Sequence, residues 1–336
     1  MNISRRSFIT GAGISTAASI LPARWANARG VNGEREIKLR FAIASDLHYG
    51  QRNTPFDEFA ENMVEWINAE KKDKGLDLFF INGDITHDEP GMLIQLRDKH
   101  LKNLDLPYYC IKGNHDYVDE KPESPTESWS KVWGYSANHT VEHKGFAFVM
   151  ADTPVAAKSN VYLAADKKWL AGEFEKHGQA PAIFSFIHIQ QRAHKKEGWP
   201  AHGVSAADLV EKAEAVMDLL ETTPNIRGVF HGHNHNETKM WVSGERRYFF
   251  DSHVGGSWGA PRGYRIVEVD SQHEIVTYQI KGEDKKELNR NPLPRSVRTY
   301  ASKPLLPVRG LSSCQLVSGS FLLLASGPQG FSRMEA

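Results

Sequence analysis

The chain has 336 residues with 41 basic and 41 acidic side chains, so its formal net charge is zero. A balanced charge offers no broad basic surface of the kind nucleic-acid binders rely on, so no nucleic-acid partner is expected. Two cysteines in a chain of this length exclude a disulfide framework, and the length suits one large domain with a substantial core.

In chain order, the first element reads as an address. Arg5 and Arg6 precede a Gly/Ala-rich apolar stretch from Phe8 to Leu21, and Ala26-Asn27-Ala28 supplies a small-x-small cleavage site. The arginine pair, with Ser4 before it and Phe8 after it, resembles a twin-arginine export signal. That implies a signal peptide over residues 1–28, recognition by the twin-arginine export machinery, and a periplasmic or secreted product. The stretch falls short of the roughly 20 apolar residues of a spanning helix, and nothing later in the chain reaches that length. Residues 1–28 hold three arginines and no acid, which leaves the remainder with a formal charge of −3.

A main domain is expected over residues 37–284. The run from Lys38 to Ala44 reads as a strand. Thr54 with Asp57 forms an N-cap pattern, Pro55 suits a first helical position, and Phe56, Phe59, Ala60, Met63, Val64 and Ile67 recur at helical spacing. Leu78 to Ile81 is a second strand, Met92 to Leu104 a second helix, and Tyr108 to Lys112 a third strand in which Cys110 reads as a small buried hydrophobe. Strands over 140–142 and 146–151, a helix near 165–176, and a strand from Ala182 to Ile187 follow. Ser205 with Asp208 caps a helix to about Leu220. Ile226 to Phe230 is a strand, and the pattern from Thr238 to Ile280 is β-rich. This order predicts an α/β protein with two mixed β-sheets packed face to face and helices outside. Pro292, Pro294, Pro304 and Pro307 then interrupt the chain, and residues 285–336 read as a linker and a loosely ordered tail.

Five short polar clusters sit at the ends of these strands: Asp46-Leu47-His48, Gly83-Asp84, Gly113-Asn114-His115-Asp116, His188, and Gly232-His233-Asn234-His235. Each alone is compatible with an ordinary turn or a satisfied core histidine. Five in one order are not. Carboxylate, imidazole and amide oxygen suit manganese, iron or zinc. An aspartate has two oxygens with which to bridge two ions, and a preceding glycine lets backbone approach closely. Two such ions can activate a water at neutral pH and clamp phosphoryl oxygens.

The series D-x-H, G-D, G-N-H-D, H, G-H-x-H resembles the calcineurin-like metallophosphoesterase superfamily across roughly residues 38–281, in a phosphodiesterase-like branch. The resemblance implies a four-layer αββα sandwich and two divalent metal ions, manganese or iron before zinc. It assigns Asp46, His48 and His235 to one ion and Asn114, His188 and His233 to the other, with Asp84 between them. His115 would stabilise the transition state or protonate the leaving oxygen, and Asp116 would orient His115. The implied reaction is hydrolysis of a small phosphodiester or phosphomonoester by a metal-bound hydroxide. The alternatives are a non-catalytic metal-stabilised binding module of the same fold, which need not keep His115, and a nuclease, which the charge disfavours.

Departures narrow the branch. His87 stands three residues after Asp84, where purple acid phosphatases place a tyrosine, and Ile189 follows His188 where many relatives have a second histidine. His231 is expected to point away from the site. Substrate contacts are expected from the loop after His188, with Arg192, His194 and Trp199, and from Trp258 and Arg262 in a glycine-rich stretch.

Overall fold

A computed structural model describes residues 35–89, 91–116, 125–154, 163–191, 210–236, 240–243, 246–259 and 261–293. The expected signal segment and everything after Leu293 lie outside these. So do Ser205 and Asp208, the expected cap of the helix that runs to about Leu220.

Among the described residues, twelve strands form two six-stranded sheets. The first sheet has the order β12-β11-β10-β1-β2-β3. Here β1 is Ile37–Ala44, β2 Leu78–Asn82, β3 Tyr108–Ile111, β10 Gly263–Asp270, β11 Ile275–Lys281 and β12 Glu287–Leu293. The second has the order β4-β5-β6-β7-β9-β8, with β4 His139–His143, β5 Phe146–Ala151, β6 Ile183–Ile187, β7 Ile226–His231, β8 Met240–Ser243 and β9 Arg246–Phe250. The strands β1, β2 and β3 are parallel to one another, as are β5, β6, β7 and β9, while the flanking pairs are antiparallel.

The side-chain alternation of each strand explains the layering. One face of the first sheet (Ala42, Ala44, Phe79, Ile81, Cys110) packs on α1 (Phe56–Lys74), α2 (Met92–Lys99) and α3 (Pro125–Trp133). The opposite face (Phe41, Ile43, Phe80, Ile111) meets Phe148, Phe184, Phe186 and Phe230 of the second sheet. The far face of that sheet (Ala147, Val149, Ile187, Val229) packs on α4 (Lys167–Lys176) and α5 (Val210–Thr222). The result is a four-layer αββα sandwich. Phe41 anchors the layer between the sheets, edge-on to Phe80, Phe148 and Phe184 at centroid distances of 5.0 to 5.7 Å. Truncating a phenylalanine so enclosed costs about 3–5 kcal/mol.

Four details differ from the sequence expectations. Thr54 does not cap α1: its Oγ1 donates to the Gln51 carbonyl, and Pro55 stands at the N-cap without a side-chain bond. The second helix ends at Lys99, and a single 3₁₀ turn, Leu101–Asn103, follows. Helix α3 was not foreseen; its Trp129 is fully buried. The sheet also continues past residue 285, where β12 pairs antiparallel with β11. At the edge of the described sheet the strand tolerates the proline at 292, because one side of its ladder faces no partner among the described residues.

Candidate metal centre

Asp46 and His48 follow β1, Asp84 follows β2, and Asn114, His115 and Asp116 follow β3 in the first sheet, while His188 follows β6 and His233 and His235 follow β7 in the second. All five clusters therefore leave the carboxyl ends of parallel strands, where open α/β sheets form their binding crevices. Two triads result: Asp46 with His48 and His235, and Asp84 with His188 and His233, each with its ligand atoms within 4.8 Å of one another.

The turns that aim these side chains are strained. Asp46, His48, Asp84 and His233 adopt φ of 52°, 49°, 47° and 67°. Such left-handed backbone costs of order 1–3 kcal/mol per residue and persists only where surroundings enforce it. The enforcement is visible. Asp46 N donates to the Gly83 carbonyl and His48 N to the Asp84 carbonyl, both at 2.9 Å, and His233 N donates to the Asp46 carboxylate at 3.0 Å. The motif glycines make room for this convergence. A Cβ on Gly83 would lie 2.2 Å from His188 Nδ1, one on Gly113 2.1 Å from Asp84 N, and one on Gly232 2.7 Å from Asp46 Oδ2.

Within the first triad, His48 Nε2 is 2.9 Å from His235 Nε2, which is 3.1 Å from Asp46 Oδ1. In the second, His188 Nε2 is 3.2 Å from Asp84 Oδ2. The same Asp84 oxygen is 3.9 Å from His48 Nε2, so Asp84 faces both triads. Outer partners fix the rings: His188 Nδ1 donates to the Asn82 carbonyl at 2.7 Å and His235 Nδ1 to the Trp258 carbonyl at 3.1 Å. His48 Nδ1 is 2.8 Å from His87 Nδ1.

Charges are tightly balanced. Burial works against ionisation of Asp84, but His188 and His115 hold its carboxyl well below the usual range. Burial likewise opposes a proton on His188, and Asp84 and Asp46 overcome it, pushing His188 up to about 10. Burial pushes His48 down to about 3, so its imidazole is neutral and ready to ligate. The residues fit divalent cations on a separate ground. Asn114 is buried, and its Oδ1 has no hydrogen-bond partner among the described residues. An unpaired amide oxygen at that depth is costly unless a cation takes it.

The structure corrects the partner of His115. Asp116 does not orient it: Asp116 Oδ1 accepts from Thr86 N at 2.8 Å and Oδ2 from Gly113 N at 2.8 Å, so this carboxylate ties two turns together. His115 Nδ1 instead lies 2.8 Å from Asp88 Oδ2, and Asp88 N donates to the His115 carbonyl at 3.0 Å. Burial lowers the affinity of His115 for a proton, but Asp88 and Asp84 outweigh it and push the group up to about 9.

Of the expected substrate contacts, Arg192, His194 and Trp199 lie outside the described residues. Trp258 lies on the rim, its indole stacked on His235 at 4.5 Å and tilted over His48 at 5.5 Å while remaining 46 % exposed. Arg262 has its guanidinium 4.3 Å from the Phe59 ring and 3.9 Å from Glu283. His231 points to the far face of its sheet, donates to the Ile187 carbonyl and stacks on Trp241. Sequence reasoning missed Asp88, Asn82 and His253. His253 also stacks on His235, at 5.3 Å. Asp88 carried a signal, an acid four residues after Asp84; the other two carried none.

Comparison with known proteins agrees with this geometry. The family model described as calcineurin-like phosphoesterase matches residues 39–237. A protein of Arcobacter nitrofigilis described as a "probable glycerophosphodiester phosphodiesterase" is 26% identical over 171 residues. That alignment covers 49% of this chain and 59% of the relative, so the chain spans less than two thirds of its length. Among solved structures, a dimetal phosphatase from Danio rerio superposes with a TM-score of 0.57 at 12% identity, covering 78% of this chain and 100% of that one. A purple acid phosphatase from yellow lupin gives 0.54 at 12% identity, covering 77% and 54%. These two similarities show the shared fold. With the family model matching more than half of its length, the chain belongs to the calcineurin-like phosphoesterase family.

Proposed function

We propose that this chain is an exported phosphoesterase that holds two divalent cations and hydrolyses small phosphodiesters in preference to monoesters. The observation that carries the reading is the pair of triads with Asp84 facing both. Asp46, His48 and His235 would hold one ion, and His188, His233 and Asn114 the other. Manganese or iron suits this nitrogen and oxygen set, and zinc is compatible with it. Bound there, two cations supply a nucleophile from water at neutral pH and offset charge on the phosphoryl oxygens.

The chain's own residues do the rest. Asp88 holds His115 by Nδ1, which leaves Nε2 as the atom that gives a proton to the leaving oxygen. Burial opposes a proton on this ring, and Asp88 and Asp84 outweigh it and raise its proton affinity. Trp258 supplies an exposed wall beside the first triad against which the leaving group packs. The preference for diesters is supported by the name of the Arcobacter relative and by the motif set. Export is supported by the Arg5-Arg6 segment. No helix among the described residues is long and apolar enough to cross a membrane.

The test is hydrolysis of bis- and mono-nitrophenyl phosphate by manganese-loaded protein. The diester is expected to turn over faster, and His115→Ala is expected to lose activity while keeping its metal. Equal rates remove the diester preference, and full activity of His115→Ala removes its role. Replacing both Arg5 and Arg6 with lysine is expected to leave the protein in the cytoplasm; unchanged export would contradict the signal.

A further inference from the structure

An arginine and an aspartate lie buried side by side behind the metal centre without touching its ligating atoms. Arg265 of β10 is completely buried, and its Nε is 3.6 Å from Oδ1 of Asp251, which is 3 % exposed and directly follows β9. Arg265 also donates to the Phe250 carbonyl at 2.7 Å and to Thr277 Oγ1 at 3.2 Å, so its head is fixed. Burial pushes the Asp251 carboxyl up to about 8 against the pull of Arg265 and Asn82, so the site is costly to bury, and apolar residues of the same volume often give an equal or more stable fold. Stability alone therefore does not account for the pair.

Its contacts lead to one triad. Asp251 Oδ2 accepts from Asn82 Nδ2 at 2.7 Å, and Asn82, the last residue of β2, presents its carbonyl to His188 Nδ1 at 2.7 Å. Asp251 N donates to the His231 carbonyl at 2.7 Å, at the end of the strand that delivers His233. A histidine that ligates through Nε2 depends on the acceptor at Nδ1 for its tautomer and ring orientation. The other triad is braced separately: His235 Nδ1 uses the Trp258 carbonyl and His48 Nδ1 faces His87.

We propose that Asp251, backed by Arg265, is a positioning residue for the cation held by Asp84, His188 and His233, acting through Asn82 on the ring of His188. The proposal rests on the two-cation reading. It makes an asymmetric claim: the network serves one cation and leaves the other alone.

Calorimetric titration of the chelator-stripped full chain with manganese tests it, alongside thermal unfolding. Wild type is expected to bind two equivalents. Asp251→Asn is expected to weaken one of the two affinities about tenfold to a hundredfold, the range for outer partners of metal ligands, and to leave the other unchanged. Asn82→Ala is expected to do the same. The control is Glu70→Gln. Glu70 pairs with Arg40 in another buried ion pair near the start of β1, away from the carboxyl ends of the strands. It is expected to lower the unfolding temperature with both affinities intact. The proposal is overturned if Asp251→Asn lowers stability with both affinities unchanged or weakens both equally. It is also overturned if Asp251→Asn and Asn82→Ala are unfolded without metal where wild type is folded, since the network would then serve the fold alone. Wild type that binds no manganese would overturn the two-cation reading as well, so the two failures are distinguishable.

Discussion

His115 is held by Asp88 and not by its own neighbour Asp116. The Nδ1 to Oδ2 distance is 2.8 Å, and the Asp88 main-chain N–H closes the pair by donating to the His115 carbonyl. Two acids that look interchangeable in sequence thus have separate tasks. Asp88 raises the proton affinity of a ring beside the triads, while Asp116 is spent on two backbone N–H groups.

Substituting each acid separates the tasks. Asp88→Asn is expected to lower kcat about tenfold to a hundredfold with metal content intact. The sign of the pH effect follows from the raised group. His115 keeps its proton up to about 9, and without Asp88 it loses the proton at lower pH, so the alkaline limb of the rate profile moves down. Asp116→Asn is expected to act on stability, by about 1–3 kcal/mol in denaturant unfolding, because the amide keeps one acceptor oxygen and leaves the other buried N–H facing an NH2 group.

The close approach of strand ends predicts a sharp contrast among glycines. Gly83→Ala places a Cβ 2.2 Å from His188 Nδ1 at a φ of 84°, and is expected to destabilise the protein and to reduce manganese binding together. Gly172→Ala, within α4 and with nothing within 4 Å, is expected to stabilise by about 0.5–1 kcal/mol. Unfolding curves and metal analysis of the two variants check both directions.

Protons and cations compete for His188. In metal-free protein its raised affinity, about 10, contributes stability that is fully present below the ordinary histidine value near 6.5 and is lost as pH rises through about 10. Cation binding must release that proton, so the stabilisation conferred by manganese rises over the same window. Unfolding temperatures measured with chelator are therefore expected to fall between about pH 7 and 10, while the increment gained on adding manganese grows.

Trp258 offers a separable substrate contact, because its carbonyl braces His235 while its ring stays on the rim. Trp258→Ala is expected to raise KM for an aryl phosphodiester about tenfold with metal affinity unchanged, read from steady-state rates and metal titration. A loss of metal instead would mean that the indole stack on His235 holds the ligand in place.

The fold was legible where strands are short apolar runs and helices show an amphipathic period, as in β1, β2 and α1. It was illegible at β12, where prolines suggest a linker until the edge position is known, and at α3, which the sequence reading passed over. The convergence of Asp46, Asp84, His188 and His235 was legible because each follows a strand of consistent direction. The strained φ of those residues, the Asp88–His115 pair and the Asn82–His188 bond arise from contacts between segments far apart in sequence. No local pattern announces them. Residue adjacency pointed to Asp116, and through-space geometry selects Asp88.

Anomalous diffraction from crystals loaded with manganese tests the central claim most directly. The account predicts two peaks about 3.5–4 Å apart, one beside His48 and His235 and one beside His188 and His233, with Asp84 between them. A single peak, or none, under saturating manganese would contradict it.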